Sequence, residues 1–440
     1  MPSSNADRTE TEITASEVHT GSWFGSDVSI QNNIAVVGAY LEYEDENDGG
    51  TQVPDAGAVY VYVKTGGSWS FQQKLIPQLS DGTDDRVLNG QFGFPCSVSD
   101  ATDTIAVGAW QNSTDLLGAT RSGSNLGAVY IYTRSPGDIS SNAWSIQQKI
   151  IDTGGATDDK FGAELDLDGD LVAIARDGGN GTRQQVFTWT RSGSTWTAED
   201  NFLSSDNAIP DGFGLAISVQ ESNNTMILGS YNKTVNSQTS AGGVYVFTRS
   251  GSTWSEEQII DVTDAGDSAV AGDWFGVSVS LTNDRIAVGA PYRNDGSVGR
   301  GTVYTFTRSG STWSFEQKIS PTNGNSGDNF GWSVDIDNNV YLSASSHNQD
   351  YDENDLNFVS NAGAVYLFEF DSTWTQTEKM VINGRSNNDN LGFRIEVSNN
   401  TVLSGVGDYP SGGAVEAAYL FQDEFLQGIY GSECSYRVRG

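Results

Sequence analysis

The sequence predicts an all-β chain: a seven-bladed β-propeller of four-stranded antiparallel blades, closed by its own N-terminal strand. Three observations predict it. Phe-Gly recurs at Phe24-Gly25, Phe92-Gly93, Phe161-Gly162, Phe213-Gly214, Phe275-Gly276 and Phe330-Gly331, with a degraded seventh copy at Leu391-Gly392-Phe393. Tryptophans keep step with it at Trp69, Trp144, Trp196, Trp254, Trp313 and Trp374. Self-similarity at a fixed period signals a repeat architecture, and seven copies in 440 residues leave roughly 60 residues per unit, enough for one four-stranded blade with its loops. Finally, the two ends complement each other. The seventh repeat has three strand-like segments (LGFRIEV, NTVLSGV, GAVEAAYLF), while TETEITAS at residues 9 to 16 aligns with the segments that end other repeats, such as QQKLIPQL and EQKISPTN. A ring in which the leading strand completes the last blade resolves both, and leaves few sheet edges open.

Each blade reads in the same order. The first strand alternates, as in Phe275, Val277, Val279 and Leu281, which is the pattern of a half-buried strand. The second is almost continuously apolar (IAVVGA from Ile34, IAVGA from Ile286), as expected of a strand covered on both faces, and its Gly-Ala ending allows close approach of the next blade. The third (GAVYVY, GAVYIY, GGVYVF, GAVYLF) is β-branched and aromatic. An RSGST turn then leads to the tryptophan and the fourth strand. The phenylalanine of each Phe-Gly is read as a wedge between blades, and its glycine as a point where a side chain would clash. The propeller spans residues 1–421, and 422–440 form a docking or linking tail with a basic end (Arg437, Arg439).

Composition narrows the function. Asp and Glu number 57 against 23 Lys and Arg, a formal net charge of −34, and such a surface repels phosphate backbones, so no nucleic-acid partner is expected. No apolar run approaches a membrane span, and the N-terminus has neither the basic start nor the apolar stretch of a secretory signal. Two cysteines, Cys96 and Cys434, make no disulfide framework, and Cys96 reads as a small buried hydrophobe. Catalytic signatures are missing: two histidines (His19, His347) lie in different repeats, and there is no Gly-x-Ser-x-Gly elbow, Walker loop or HExxH helix. The chain is read as non-enzymatic.

Loop lengths choose a working face. In a four-stranded meander the 1–2 and 3–4 turns share one face, and the 2–3 and blade-to-blade 4–1 loops share the other. The 1–2 turns are minimal (Gln31-Asn32-Asn33, Asp337-Asn338-Asn339), whereas the 2–3 loops are long and each differs, as in 41–56, 111–126 and 347–362. Long variable loops on a rigid frame carry recognition. This face is rich in acids (Glu42, Asp84, Asp85, Asp158, Asp159, Asp264, Asp267, Asp273) and rimmed by aromatics: Tyr40, Trp110, Tyr231 and Tyr292 end second strands, and Trp23 and Trp274 precede Phe-Gly. These six rings are the candidate ligand-binding residues, because rings supply contact area at low entropic cost while polar neighbours orient the ligand. No cofactor is required. Calcium is an optional one, since Asp350, Asp352 and Asn354 alternate as at the start of a calcium loop and Asp45, Asn47 and Asp48 echo them, although neither run has the downstream bidentate Glu.

Phe-Gly followed by IAVGA or IAVGAP (Phe24-Gly25 with Ile34 to Ala39; Phe275-Gly276 with Ile286 to Pro291) resembles the FG-GAP repeat, which builds the seven-bladed propeller of integrin α-subunits and of many bacterial and viral surface proteins. The resemblance covers about residues 9 to 421. It implies a non-catalytic propeller binding a glycan or a receptor protein through its 2–3/4–1 face, displayed on a virion or cell exterior. Integrin-like calcium in an extended 1–2 loop is not carried over, because these turns are too short. The alternative is a structural assembly subunit of a virion or surface layer, clamped to its partner by residues 422–440.

Overall fold

The computed structural model describes residues 8–14, 21–42, 53–179, 184–206, 211–293, 300–352, 354, 356–407 and 417–423. Among them, strands form seven separate four-stranded antiparallel sheets, with no α-helix. Six sheets take their strands in chain order. The seventh is ordered N-terminal strand, Ala418–Asp423, Thr401–Val406, Leu391–Ser398, so the leading strand zips onto the last blade and closes the ring. Its pairing runs from Arg8↔Asp423 to Ile13↔Ala418. Arg8 secures the closure: its Nε donates to Glu378 of blade 6 at 2.5 Å and its Nη1 to the Asn400 carbonyl at 2.6 Å.

Two boundaries shift from the sequence expectation. The leading strand is Arg8–Ile13 rather than 9–16, residues 15–20 lying outside the described set. The last blade's outgoing strand runs on through Gln422 to Asp423, so only 424–440 of the expected tail falls beyond the blade, outside the described residues.

The repeated motifs are the seams between blades. Phe24, Phe92, Phe161, Phe213, Phe275 and Phe330 are buried, each meeting its blade's third-strand aromatic edge-on, or Phe187 in blade 3. Bridges such as Gly57↔Phe92 and Gly301↔Phe330 join Phe92, Phe161, Phe275 and Phe330 to the previous blade, and Gly363↔Leu391 does the same for blade 7. There is no room for a side chain here: a Cβ on Gly57 would lie 2.0 Å from the Phe92 carbonyl oxygen, and one on Gly38, in the second strand, 1.9 Å from that of Gly93. Further out, glutamines stitch to tryptophans. Gln73 donates to the Trp144 carbonyl at 2.9 Å and accepts from its N–H at 2.8 Å, and Gln148 with Trp196, Gln258 with Trp313 and Gln317 with Trp374 repeat this mock strand pairing. The turn arginines Arg191, Arg249 and Arg308 lie over Trp196, Trp254 and Trp313.

Candidate functional site

The first strands of all seven blades surround the axis, each touching the next round to blade 7 against blade 1. In every one, the alternate residues that do not feed the blade core face a central channel. This half of the alternation gathers a cluster of carboxylates around the axis, and it was not singled out from sequence. Its signal was present as polar residues at every second position: Asp27, Ser29 and Gln31; Glu164, Asp166 and Asp168; Ser333, Asp335 and Asp337; Arg394, Glu396 and Ser398.

An innermost strand is a sheet edge with unpaired N–H groups, and buried backbone donors must be satisfied. Here each blade satisfies the next. Ser29 Oγ accepts from Val98 N–H (3.1 Å), Ser97 from Leu167 (3.2 Å), Asp166 from Val219 (2.8 Å), Ser218 from Leu281 (3.0 Å), Ser280 from Ile336 (3.1 Å) and Asp335 from Val397 (2.7 Å). Glu396 of blade 7 then accepts from Ile30 N–H of blade 1, completing a ring of seven. Around it the channel opens into polar cavities of about 140 and 220 Å³. Burial pushes Asp166 up to about 6 and Asp335 up to about 7, and raises Glu396, which also feels Asp335. Arg394 reaches Asp27 (3.6 Å) and Glu164 (3.8 Å); burial nevertheless lifts Glu164 to about 8. Cys96, buried mid-strand, lines the same channel and its N–H donates to Asp27 at 2.7 Å.

Several acids assigned to the loop face are also spent internally. Glu42 accepts from Tyr60 Oη (3.0 Å), Asp85 from Tyr130 (2.5 Å) and Lys149 (2.6 Å), and Asp267 from Tyr304 (2.7 Å) and Lys318 (2.9 Å). Asp273 is buried against Arg293 at 2.5 Å. Tyr-carboxylate pairing, often with a lysine over the ring, is thus a repeated internal strut. The face is less free-acidic than its composition implies.

The candidate rings fall into three groups. Trp23 meets Tyr40 edge-on at 5.5 Å, and Tyr40 lies 5.8 Å from Phe94. Trp274 stands between Tyr231 (5.1 Å) and Tyr292 (4.8 Å, edge-on), with Tyr292 40% exposed. Trp110 is set apart, its face covered by Lys160 at 5.2 Å. Trp23 and Trp274 also share a backbone peculiarity. The residue before each Phe-Gly is left-handed in all seven blades, because the chain turns sharply there: Trp23 and Trp274 (φ 57°), Gln91, Lys160, Gly212, Asn329 and Asn390. Their carbonyls close the turn, accepting from Ser26 (3.0 Å) and Val277 (3.2 Å). Glycine and asparagine tolerate this conformation, whereas a bulky residue loses about 1–2 kcal/mol in it.

Of the calcium candidates, Asp45, Asn47 and Asp48 lie outside the described residues. Asp352 turns its carboxylate inward, accepting from the N–H groups of Asn354 (3.0 Å) and Leu356 (2.9 Å), and Asp350 accepts from Asn361 N–H (2.7 Å). Among the described residues no group of three or more His, Cys, Asp or Glu is placed to hold a metal.

Comparison with known proteins agrees with this architecture. A family model described as FG-GAP repeat matches residues 8–62, 254–306 and 313–368. No curated protein matches. Among solved structures, the WD40 repeats of RRP9 superpose with a TM-score of 0.52 at 10% identity, covering 96% of this chain and 99% of that one, a likeness of fold alone. Also similar are the Pseudomonas aeruginosa periplasmic gluconolactonase PpgL (12% identity, 82% and 87% covered, TM-score 0.46) and Saccharomyces cerevisiae Sqt1 (9%, 95% and 88%, 0.45). Three segments of this chain thus match the FG-GAP repeat, and they lie in a seven-bladed β-propeller whose remaining blades keep the same seam.

Proposed function

We propose that this propeller is a non-enzymatic recognition module, displayed on a virion or cell exterior, that binds a glycan or a receptor protein through the rings of its 2–3/4–1 face. The single observation that carries the reading is Trp274. It occupies a left-handed position where other blades place Gly212, Asn329, Asn390, Gln91 or Lys160, and holds its ring against Tyr231 and half-exposed Tyr292. Strained backbone retained beside exposed aromatics points to a role for the ring rather than for the turn. Absence of catalysis is supported by the channel, whose Asp166, Asp335 and Glu396 are already engaged in joining blades. The test is the double variant Trp274→Asn/Tyr292→Ser, displayed against glycans and exterior receptor proteins. Loss of capture with an unchanged melting temperature is expected; undiminished capture overturns the reading. Calcium remains an optional cofactor of this proposal at the Asp350–Asn354 loop, and a thermal shift in calcium against chelator decides it, no shift removing it.

A second reading, a structural assembly subunit, is favoured by apolar loop tips on the same face: Leu116 and Leu117 in blade 2, and Leu356 and Phe358 in blade 6, all more than half exposed. Such tips suit a protein contact. Light scattering of the chain with and without residues 424–440 tests the clamp; an unchanged mass argues against it.

A further inference from the structure

The Trp274 arrangement is not unique. Blade 1 carries a related one: Trp23 occupies the same left-handed position before Phe-Gly, and its partner Tyr40 directly follows the second strand, one residue short of the place that Tyr292 takes in blade 5. Both pairs are edge-on, at 5.5 Å and 72° in blade 1 and 4.8 Å and 89° in blade 5. The other five blades have no such pair; the corresponding places hold Gln91 hydrogen-bonded to Gln111, Lys160 over the Trp110 ring, or an asparagine or glycine before the seam. Blades 1 and 5 are three steps apart one way round the ring and four the other, as nearly opposite as seven blades allow.

Resting on the recognition reading above, we infer that the Trp-Tyr pairs of blades 1 and 5 form two similar sites for an uncharged sugar ring, one on each side of the channel mouth, making the propeller bivalent. An indole face with a phenol standing edge-on beside it suits the C–H face and the hydroxyls of a pyranose. An anionic sugar is disfavoured by the net charge of −34 and by Asp55 beside Tyr40. A cation is disfavoured as well, since the carboxylates near Trp274 are taken: Asp273 by Arg293 and Asp267 by Lys318. The phenols remain hydrogen-bond donors, burial lifting Tyr40 to about 12 and raising Tyr292. Two weak sites held at a fixed span gain affinity only for a ligand displayed in many copies, by about 10²-fold or more.

The experiment compares the full chain with Trp23→Asn, Trp274→Asn and the double variant on surfaces carrying mannose-, galactose- or N-acetylglucosamine-terminated glycans, beside sialylated and sulfated ones. Asparagine is what blades 6 and 7 carry at this position, so the variants are expected to fold, and melting curves check it. The expected result is capture by a neutral glycan that each single substitution weakens about 100-fold on a dense surface. Titration with the same glycan as a soluble monovalent fragment should give two sites per chain in the wild type and one in either single variant. Preference for sialylated or sulfated glycans, one site per chain, or sensitivity to only one of the two substitutions overturns the inference. No glycan bound, with a receptor protein captured through Trp274 alone, overturns it while leaving the recognition reading standing. Equal capture by the double variant overturns both.

Discussion

The channel and the loop face both invite a functional reading, and they differ in what their side chains already do. Along the axis, Asp166, Asp335 and Glu396 accept N–H groups from the next blade. At the rim, Trp23 and Trp274 hold positions a glycine would fill with less strain, and their rings answer no hydrogen-bonding need of the backbone. A dense cluster of buried carboxylates is therefore scaffold here, while two strained indoles are the better mark of a site. Charge alone does not separate the two regions; prior engagement does.

The largest expected effect lies in the channel. Asp335→Ala leaves Val397 N–H without its acceptor and removes the Ser280 hydroxyl's partner at 2.7 Å, so a loss of about 1–3 kcal/mol is expected in denaturant melts, with ligand capture by the folded protein unchanged. Asp335→Asn keeps an acceptor and should recover most of it. If alanine is as stable as wild type, the ring of seven is decorative and the contrast between the regions collapses.

A pH series sharpens the same point. Glu164, Asp335 and Asp166 have folded values raised to about 8, 7 and 6, above those of free carboxyls near 4, because burial penalises the charged form. The folded state then binds protons more tightly, so this contribution is complete below about pH 4 and is lost as pH rises through about 6 to 8. Loop carboxylates such as Asp84 and Asp115 are lowered, and act in the opposite sense under strong acid. The melting temperature should therefore peak on the mildly acidic side and fall toward pH 9. Glu164→Gln should flatten that fall; an alkaline limb identical to wild type would show that Glu164 is solvated like a surface acid. The smallest effect is expected at the rim. Trp274→Asn relieves left-handed strain while giving up ring contacts, and should leave stability within about 1 kcal/mol. A collapse of the fold would make Trp274 a structural residue and remove the main support for a binding site there.

Much of the architecture was legible because repeats restate their own constraints. Phe-Gly, Gly-Ala and the tryptophans each mark one seam, and seven statements of it outweigh local ambiguity. The candidate rings could be picked out too, Trp23 and Trp274 directly before Phe-Gly and the others near the ends of second strands. Less legible was the state of the polar residues. Asp85 and Asp273 look like surface acids in a polar loop, and only the folded chain brings Lys149 and Tyr130 to the first and Arg293 to the second. Trp110 looked as available as Trp274 until Lys160, from another blade's approach, covered it.

Sequence by itself determined the number of blades, the order of strands within each, and the closing of the ring by the leading strand. All of these follow from short-range periodicity and from the bookkeeping of one missing and one surplus strand. Only the tertiary structure decided which face of each first strand would look onto the axis, and that its Ser, Asp and Glu side chains would cap the neighbouring blade's free N–H groups. That outcome depends on seven edges converging on one line, a long-range geometry that no single repeat contains.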